Sequence, residues 1–337
     1  MGNEDGPFPK KCKLGVGVIG VGVMGLNHAR VYNDMKGVDL LGISDKDEVR
    51  VKTVAEMYDT KAYVDYKELL DDEPDAVSIS VPTSMHKDVA LDAIDCGVKG
   101  ILIEKPIADT LENADKIIDA AEDAGVKLVI GHIERFNPAV SKLKDLVEKN
   151  ILGEVVSISA RRVGPFNDRI RDVGVITDLG VHDIDVISYL YGKKVENVVT
   201  IAGNGVRPFE DRASILMRFG GNCSGLIETN WLTPHKVRTL AVMGVDGVAY
   251  LDYIKQTLEV HFEGGRIEEI EVDKDEPLRK ELEHFINIAS EGGQSPSSGL
   301  NGRYVLSVAM AAQESYKNSS MVSPIEGDPR FRFYPIA

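Results

Sequence analysis

The sequence of 337 residues is poor in cysteine and has no long apolar run. Its three cysteines, Cys12, Cys96 and Cys223, form no CxxC pair and are odd in number, which argues against a disulfide framework and a cysteine zinc site. No run reaches the roughly eighteen apolar residues of a membrane-spanning helix, and the first residues lack the apolar stretch of a secretory signal. These absences predict reduced thiols, a cytoplasmic location and no membrane partner.

Basic residues are also in the minority, with 39 Lys and Arg against 54 Asp and Glu and a net charge of −15. Nucleic acid requires a basic face, so no nucleic-acid partner is expected. An anionic small molecule remains compatible with this charge if basic residues cluster locally. The length predicts two domains.

The first predicted domain spans residues 13–132, after a tail over residues 1–12 that is expected to be disordered. Apolar strand candidates alternate in it with amphipathic helical patterns; the candidates are LGVGVIG, VDLLGIS, DAVSISV, GILIEK and VKLVIG. Such alternation is typical of parallel strands joined by crossover helices. The sequence therefore predicts an α/β fold that begins with a doubly wound Rossmann sheet.

A glycine-rich run, Gly20-Val21-Gly22-Val23-Met24-Gly25, follows the first strand and opens a helix. Alone the pattern is weak, but Asp45 lies twenty residues after Gly25 at the end of the second strand, which completes a dinucleotide fingerprint. The carboxylate can accept the adenosine ribose hydroxyls and would repel a 2′-phosphate, so the predicted cofactor is NAD. Lys46 and Arg50 are assigned to the same site.

Two further runs follow later strands of the predicted sheet, where ligands of such sheets bind. They are Pro82-Thr83-Ser84-Met85-His86 and Glu104-Lys105-Pro106. Pro82, Thr83, His86 and the whole second run are predicted to contact the cofactor. His86 also begins a helix, so a purely structural role stays open for it.

The second predicted domain spans residues 133–337. After one helix its pattern becomes a succession of strands with turn signals between them, followed by helical patterns over residues 277–290 and 300–316. Consecutive strands joined by hairpin turns are typical of an antiparallel sheet. We expect an α+β domain with a large, mostly antiparallel open sheet.

The stretch TDLGVHDIDVISYL over residues 177–190 places Asp178, His182 and Asp185 four and then three residues apart, on one face of a helix. Asp183 points elsewhere. A metal site is disfavoured because the set offers one nitrogen ligand and no cysteine, so no metal is predicted. A simple helix cap accounts for Asp178 but leaves the other two residues unexplained.

With GxGxxG, Glu104-Lys105-Pro106 and the Asp178-x-Gly180-x-His182-x-x-Asp185 pattern together, the chain resembles the glucose–fructose oxidoreductase/inositol dehydrogenase/rhizopine catabolism (Gfo/Idh/MocA) family. The resemblance implies an NAD(P)-dependent oxidoreductase acting on a sugar, sugar nucleotide or cyclitol. It implies that Lys105, Asp178 and His182 are the catalytic group. It also implies a homodimer or homotetramer built through the open face of the second-domain sheet.

Four arginines, Arg161, Arg162, Arg169 and Arg171, precede that pattern in an otherwise acidic chain. Each alone is compatible with a solvated surface, whereas the cluster indicates anion recognition, because guanidinium groups suit phosphate. This stretch resembles the subgroup that oxidises UDP-N-acetylhexosamines, particularly UDP-N-acetylglucosamine at the 3-hydroxyl, to a 3-keto sugar for surface-glycan precursors.

The resulting hypothesis is a sugar-nucleotide dehydrogenase, whose substrate residues are Lys105, Arg161, Arg169, Arg171, Asp178, His182 and Asp185. An inositol or aldose dehydrogenase is the alternative within the family, although a neutral polyol has no need of the arginines. A regulator that only senses NAD is the non-enzymatic alternative, and such a protein would not need Lys105 or His182.

Overall fold

The computed structural model of the chain describes residues 13–166, 173–205, 208–325 and 329–332. They form two β-sheets with helices packed against them. The expected tail over residues 1–12 lies outside this description. Among the described residues no helix is both long enough and apolar enough to cross a membrane.

Six strands from the first part of the chain form a parallel sheet: β1 (Leu14–Ile19), β2 (Val38–Ser44), β3 (Lys61–Tyr63), β4 (Ala76–Ile79), β5 (Gly100–Glu104) and β6 (Lys127–Gly131). Their order is β3-β2-β1-β4-β5-β6. The crossover helices are α1 (Val23–Asp34), α2 (Glu48–Tyr58), α3 (Tyr66–Leu70), α4 (His86–Asp95) and α5 (Leu111–Asp123). The predicted Rossmann sheet is confirmed. The strand order reverses between β1 and β4, the point at which such sheets bind ligands.

The second sheet follows α6 (Pro138–Glu148), and α7 (Val181–Tyr191) lies within its sequence. Its strands are β7 (Val155–Pro165), β8 (Val195–Gly203), β9 (Arg212–Phe219), β10 (Cys223–Asn230), β11 (Leu232–Gly244), β12 (Gly247–Asp252), β13 (Thr257–Phe262) and β14 (Ile267–Ile270). The order is β14-β13-β12-β11-β7-β10-β9-β8, and β7–β10 is a parallel pair among antiparallel ones. The predicted mostly antiparallel sheet is confirmed.

The two faces of this sheet differ because strand side chains alternate between them. Along β9 every second residue is buried, and Ile215 and Met217 share a core with Ile187 and Leu190 of α7. The residues between them, such as Leu216, are exposed on the opposite face. The inner face therefore holds α7 in place, while the outer face is open.

Two closing helices, α8 (Pro277–Glu291) and α9 (Gly299–Asn318), link the sheets. Helix α8 returns to the first sheet, where Leu282 and Phe285 join the core that contains β1. Helix α9 lies between the sheets, since Val308 belongs to the second-sheet core and Leu306 to the first. The predicted second domain, residues 133–337, thus includes a helix that packs on the first domain.

Candidate active site

A cleft of about 1100 Å³ lies at the carboxyl ends of β1, β2, β4 and β5. It collects most of the residues that the sequence assigns to the cofactor. Those that line it are Gly20, Gly22, Val23, Met24, Asp45, Lys46, Arg50, Pro82, Glu104 and Lys105, together with Asp178 from the second domain. Segments separated in sequence therefore meet at the predicted edge of the sheet.

The glycine-rich turn allows a ligand to approach its backbone closely. Gly20 has a φ of +89°, and a Cβ on Gly25 would lie 1.8 Å from the Gly20 carbonyl oxygen, so neither position accepts a side chain. Gly22 is the N-cap of α1, and no atom lies within 4 Å of the place its Cβ would take. The open N-terminus of α1 fits the pyrophosphate of a dinucleotide.

Asp45 is held rigidly at the end of β2. Its carboxylate accepts hydrogen bonds from the backbone N–H groups of Val21 (3.0 Å) and Asp47 (2.9 Å), and Arg50 Nη1 lies 3.2 Å from Oδ2. The side chain is 12% exposed. Arg50 is thereby paired with Asp45, whose carboxylate would repel a 2′-phosphate. This arrangement supports the predicted preference for NAD.

Replacing Asp45 should weaken that preference. In Asp45→Ser the repulsion of a 2′-phosphate is removed and Arg50 loses one of its two carboxylate partners, so the ratio of kcat/KM with NADP to that with NAD should rise. Asp47→Ser is the matched control, because Asp47 also pairs with Arg50, and serine can keep the N-cap of α2. Higher efficiency of the wild-type enzyme with NADP would contradict the role of Asp45.

Lys105 joins the two domains. It follows β5, and its Nζ donates to the Asp178 carbonyl oxygen at 2.7 Å and lies 3.4 Å from Asp178 Oδ1. The side chains are 17% and 23% exposed, so the pair can still meet a ligand in the cleft. Two of the three motifs that carry the family resemblance are thereby in direct contact.

Glu104 helps to hold Lys105 in position. Its carboxylate accepts a hydrogen bond from the Lys105 backbone N–H at 3.2 Å and lies 3.1 Å from His28 Nε2 on α1. Burial alone would raise the pKa of Glu104, but the hydrogen bond with His28 and the nearby positive charges bring that pKa below its ordinary value. His28 thus connects the helix of the glycine-rich turn to the strand that carries Lys105. Nothing in the local sequence marks this histidine.

His86 has a structural position, contrary to its assignment as a cofactor contact. Its ring is buried, Nδ1 lies 3.0 Å from the Pro106 carbonyl oxygen, and Nε2 lies 3.0 Å from that of Val81. The ring lies between these two carbonyl oxygens and fixes the strand ends beside the cleft by donating its one N–H to either of them. Pro106 contributes its carbonyl to this contact, and Thr83 begins a short 3-10 turn. None of the three lines the cleft.

The expected regular helix over the TDLGVHDID stretch is interrupted. Ile176–Gly180 form a π-helical turn that leads into α7, so Asp178 precedes the α-helix and faces Lys105. Its side chain makes no capping hydrogen bond, which removes the simple cap interpretation. π-helical turns are common at functional sites.

Asp185 was expected to contact the substrate, but the structure places it in the core. Its carboxylate is fully buried and pairs with Arg135, whose Nε lies 2.9 Å from Oδ2 and whose Nη2 lies 2.5 Å from Oδ1. Asp178, His182 and Asp185 were expected to share one helix face, but they do not share one environment, because α7 packs against Arg135 where Asp185 lies. Asp185 stabilises the fold beneath the site.

His182 is half-buried, and its Nδ1 is buried without a hydrogen-bond partner in the described part of the chain. Burial, and then the positive charges of Lys105, Arg162 and Arg238, lower the pKa of His182 well below its ordinary value. The imidazole is therefore neutral at physiological pH and able to accept a proton. Asp178, expected to orient it, is instead hydrogen-bonded by Lys105.

The arginine cluster is divided between two faces of β7. Arg161 lies on the outer face and pairs with Glu228 at 3.0 Å, which corrects its assignment to the substrate. Arg162 is 2% exposed and binds Glu134 Oε1 (2.8 Å) and both carboxylate oxygens of Asp183. Consecutive strand residues point to opposite faces, so the two cannot act together. Arg169 and Arg171 lie outside the described residues.

Two further buried groups, His132 and Glu281, have strongly shifted pKa values. Burial lowers the pKa of His132 to about 4. Burial, together with the charges of Glu104, Asp185 and Glu134, raises the pKa of Glu281 on α8 well above its ordinary value. Within the described ranges no three His, Cys, Asp or Glu side chains are grouped so that they could hold a metal ion.

Family comparisons cover both domains. The NAD-binding Rossmann fold of the GFO/IDH/MocA oxidoreductase family matches residues 14–132. The GFO/IDH/MocA C-terminal domain matches residues 140–268. Together they span both sheets and the cleft between them.

Individual relatives are similar along almost the whole chain. The UDP-N-acetylglucosamine 3-dehydrogenase of Acidithiobacillus ferrooxidans is 31% identical over 303 residues, 87% of this chain and 94% of that protein. The myo-inositol 2-dehydrogenase of Thermotoga maritima is 30% identical over 329 residues, 91% and 97% of the two chains. A solved structure of UDP-N-acetylglucosamine 3-dehydrogenase from A. ferrooxidans has a TM-score of 0.84 and 31% identity, over 91% of this chain and 98% of that one.

Proposed function

The chain belongs to the Gfo/Idh/MocA oxidoreductase family and is an NAD-binding dehydrogenase, and from this premise we propose that it oxidises a secondary hydroxyl of a sugar nucleotide. The favoured substrate is UDP-N-acetylglucosamine, oxidised at C3 to the 3-keto sugar. The observation that carries the proposal is the contact of Lys105 with Asp178 across the cleft. It places an ammonium group beside the motif that bears His182.

The chemistry follows from the charges of this site. Bound NAD supplies the acceptor for the hydride that leaves the alcohol carbon. The hydroxyl proton needs a base, and His182 is kept neutral for this purpose by burial and neighbouring cations. Lys105 donates a hydrogen bond to the same hydroxyl and stabilises the alkoxide as it develops. Asp178 holds the lysine between the domains.

The choice of a sugar nucleotide over a neutral cyclitol has two supports. The relative named as a UDP-N-acetylglucosamine 3-dehydrogenase is similar over 87% of this chain. Arg169 and Arg171 precede the catalytic motif in sequence, and Arg238 of β11 lies opposite Arg162 on the inner face of the sheet. A relative of nearly equal identity is named as a myo-inositol 2-dehydrogenase, so inositol is the competing substrate.

A substrate panel distinguishes these possibilities. Purified protein and NAD are mixed with individual UDP-sugars, free hexoses and inositols, and NADH absorbance is followed. UDP-N-acetylglucosamine should give the highest kcat/KM, and NMR of its product should show a ketone at C3. Reduction of NAD by inositol or glucose but by no UDP-sugar would reject the proposal. No NADH with any compound would favour the sensor alternative.

We also propose that the chain forms a homodimer or homotetramer through the outer face of the eight-stranded sheet. Val199, Leu216 and Leu226 stand opposite one another on three neighbouring strands of that face and are 37%, 49% and 44% exposed. Monomeric proteins rarely leave large contiguous apolar patches in water. Sedimentation of the purified chain distinguishes a monomer from these assemblies.

A further inference from the structure

Arg238 is an arginine on β11 that the sequence did not single out. It lies directly opposite Arg162 of β7 in the antiparallel pairing. Its position alternates in phase with the buried residues Leu240 and Val242, so its side chain is on the inner face, where α7 packs. Like charges directly opposite each other repel, so this pair needs compensation.

The neighbouring carboxylates bind Arg162 much more closely than they bind Arg238. Arg162 donates hydrogen bonds to Glu134 Oε1 at 2.8 Å and to the two carboxylate oxygens of Asp183 at 2.9 and 3.0 Å. Arg238 has only a 4.0 Å approach of Nη1 to Glu134, and among the described residues its guanidinium makes no hydrogen bond. Its side chain is 36% exposed. Guanidinium donors are therefore open toward a ligand.

The strand pairing brings Arg238 near the reacting groups, because Arg162, directly opposite it, binds Asp183, the residue that follows His182 in α7. Its charge contributes to the lowered pKa of His182, and it interacts in turn with Asp178. Burial and the neighbouring Arg162 disfavour the charged form of Arg238, and Glu134, Asp183 and Asp178 offset this only in part. An anion bound here would relieve the crowding of positive charge.

We propose that Arg238 binds an oxyanion of the substrate, and that it thereby selects charged sugars over neutral polyols. The inference rests on the proposed oxidation of a sugar nucleotide and names the residue that recognises its charge. Planar guanidinium donors match the oxygens of a phosphoryl or carboxylate group. The oxyanion is either the diphosphate or a carboxylate on the sugar ring, and the two are separated by the test.

The test compares Arg238→Gln with the wild type, each loaded with NAD. The affinity for UDP, measured by calorimetry, should fall about tenfold or more, as expected for loss of a charge-assisted hydrogen bond. KM for UDP-N-acetylglucosamine should rise by a similar factor with a smaller change in kcat. Because a positive charge beside His182 is lost, the acidic limb of the kcat/KM profile should move to higher pH.

The controls separate binding from folding. Arg161→Gln is matched, since Arg161 lies on the neighbouring strand but on the outer face, and it should leave all these values unchanged. Arg238→Lys keeps the charge and should restore the pH profile but only part of the affinity. Unchanged NAD affinity in each variant establishes that the first domain is intact.

The outcomes are distinct. Weaker binding of UDP assigns the diphosphate, whereas unchanged UDP binding with weaker binding of the 6-carboxylate counterpart of UDP-N-acetylglucosamine assigns a sugar carboxylate. Equal affinity of Arg238→Gln and wild type for both compounds overturns the inference. If the wild-type enzyme oxidises no sugar nucleotide, the proposed function is wrong. The binding measurements still show whether Arg238 binds an oxyanion.

Discussion

His182→Ala and Lys105→Ala should each lower kcat by about a hundredfold or more, the scale of a lost general base or of a lost electrostatic contact to the developing alkoxide. NAD affinity should change little, because the pyrophosphate and the adenosine ribose are expected to bind at the N-terminus of α1 and at Asp45. Steady-state kinetics with titration of NAD by fluorescence measures both quantities.

The double variant should lose far less than the product of the two single losses. Both side chains serve one proton transfer, and residues that act as a unit are not additive. His261→Ala is a suitable control, since His261 is half-buried, pairs with Glu259 on the second sheet and does not line the cleft.

The pH profile gives an independent reading of the same pair. The pKa of His182 is lowered, so the acidic limb of kcat/KM in the wild type should lie well below pH 6.5, the ordinary histidine value. Removing the Lys105 charge should raise that pKa and move the limb to higher pH in the residual activity of Lys105→Ala. Near-normal turnover in His182→Ala would refute the assignment. So would activity that is lost to chelators and restored by a divalent metal.

Arg162→Ala should destabilise the protein by about 3–5 kcal/mol, the usual cost of removing one partner of a buried ion pair. Glu134 and Asp183 would be left buried without the guanidinium that binds both. Urea unfolding monitored by circular dichroism should show a lower midpoint. Arg161→Ala provides a matched comparison on the adjacent residue and should change stability by about 0.5 kcal/mol or less, because its ion pair is exposed.

The loss in Arg162→Ala should also depend on pH. Burial raises the pKa of Asp183, and Arg162 opposes this shift. Without the arginine the folded-state pKa rises further above the unfolded value, so stability falls as pH increases from the unfolded value toward the folded one. The difference from wild type should therefore be smallest at acid pH. Equal effects of the two arginine variants would contradict the buried network.

The cofactor half of the site was predictable because its signals are local. The glycine-rich turn, the helix it opens and Asp45 all lie within one strand–helix–strand unit. The backbone geometry of Gly20 and Gly25 leaves no alternative residue there. Lys105 was predictable for a related reason, since the carboxyl ends of parallel strands meet at one edge whatever the details of packing.

The substrate half was predicted less well because its contacts are distant in sequence. Asp178 is hydrogen-bonded to Lys105, which lies 73 residues away in sequence, and Asp185 pairs with Arg135, which lies 50 residues away. The alternation of β7 showed that Arg161 and Arg162 point to opposite faces, but which face is buried depends on where α7 packs. Arg238 lies in no recognisable motif, and only the pairing of β11 with β7 places it opposite Arg162.

The sequence by itself determined the two-sheet fold and the dinucleotide turn, because hydrophobic periodicity and glycine geometry are properties of short segments. Only the tertiary structure decided which charged side chains serve the site and which serve the core. A buried charge must be paired, and the partners that Arg135 and Arg162 find are supplied by elements far along the chain. Asp185 and Arg162 are paired in this way, whereas the guanidinium of Arg238 makes no hydrogen bond to the described residues, since its position on β11 leaves it 4.0 Å from Glu134.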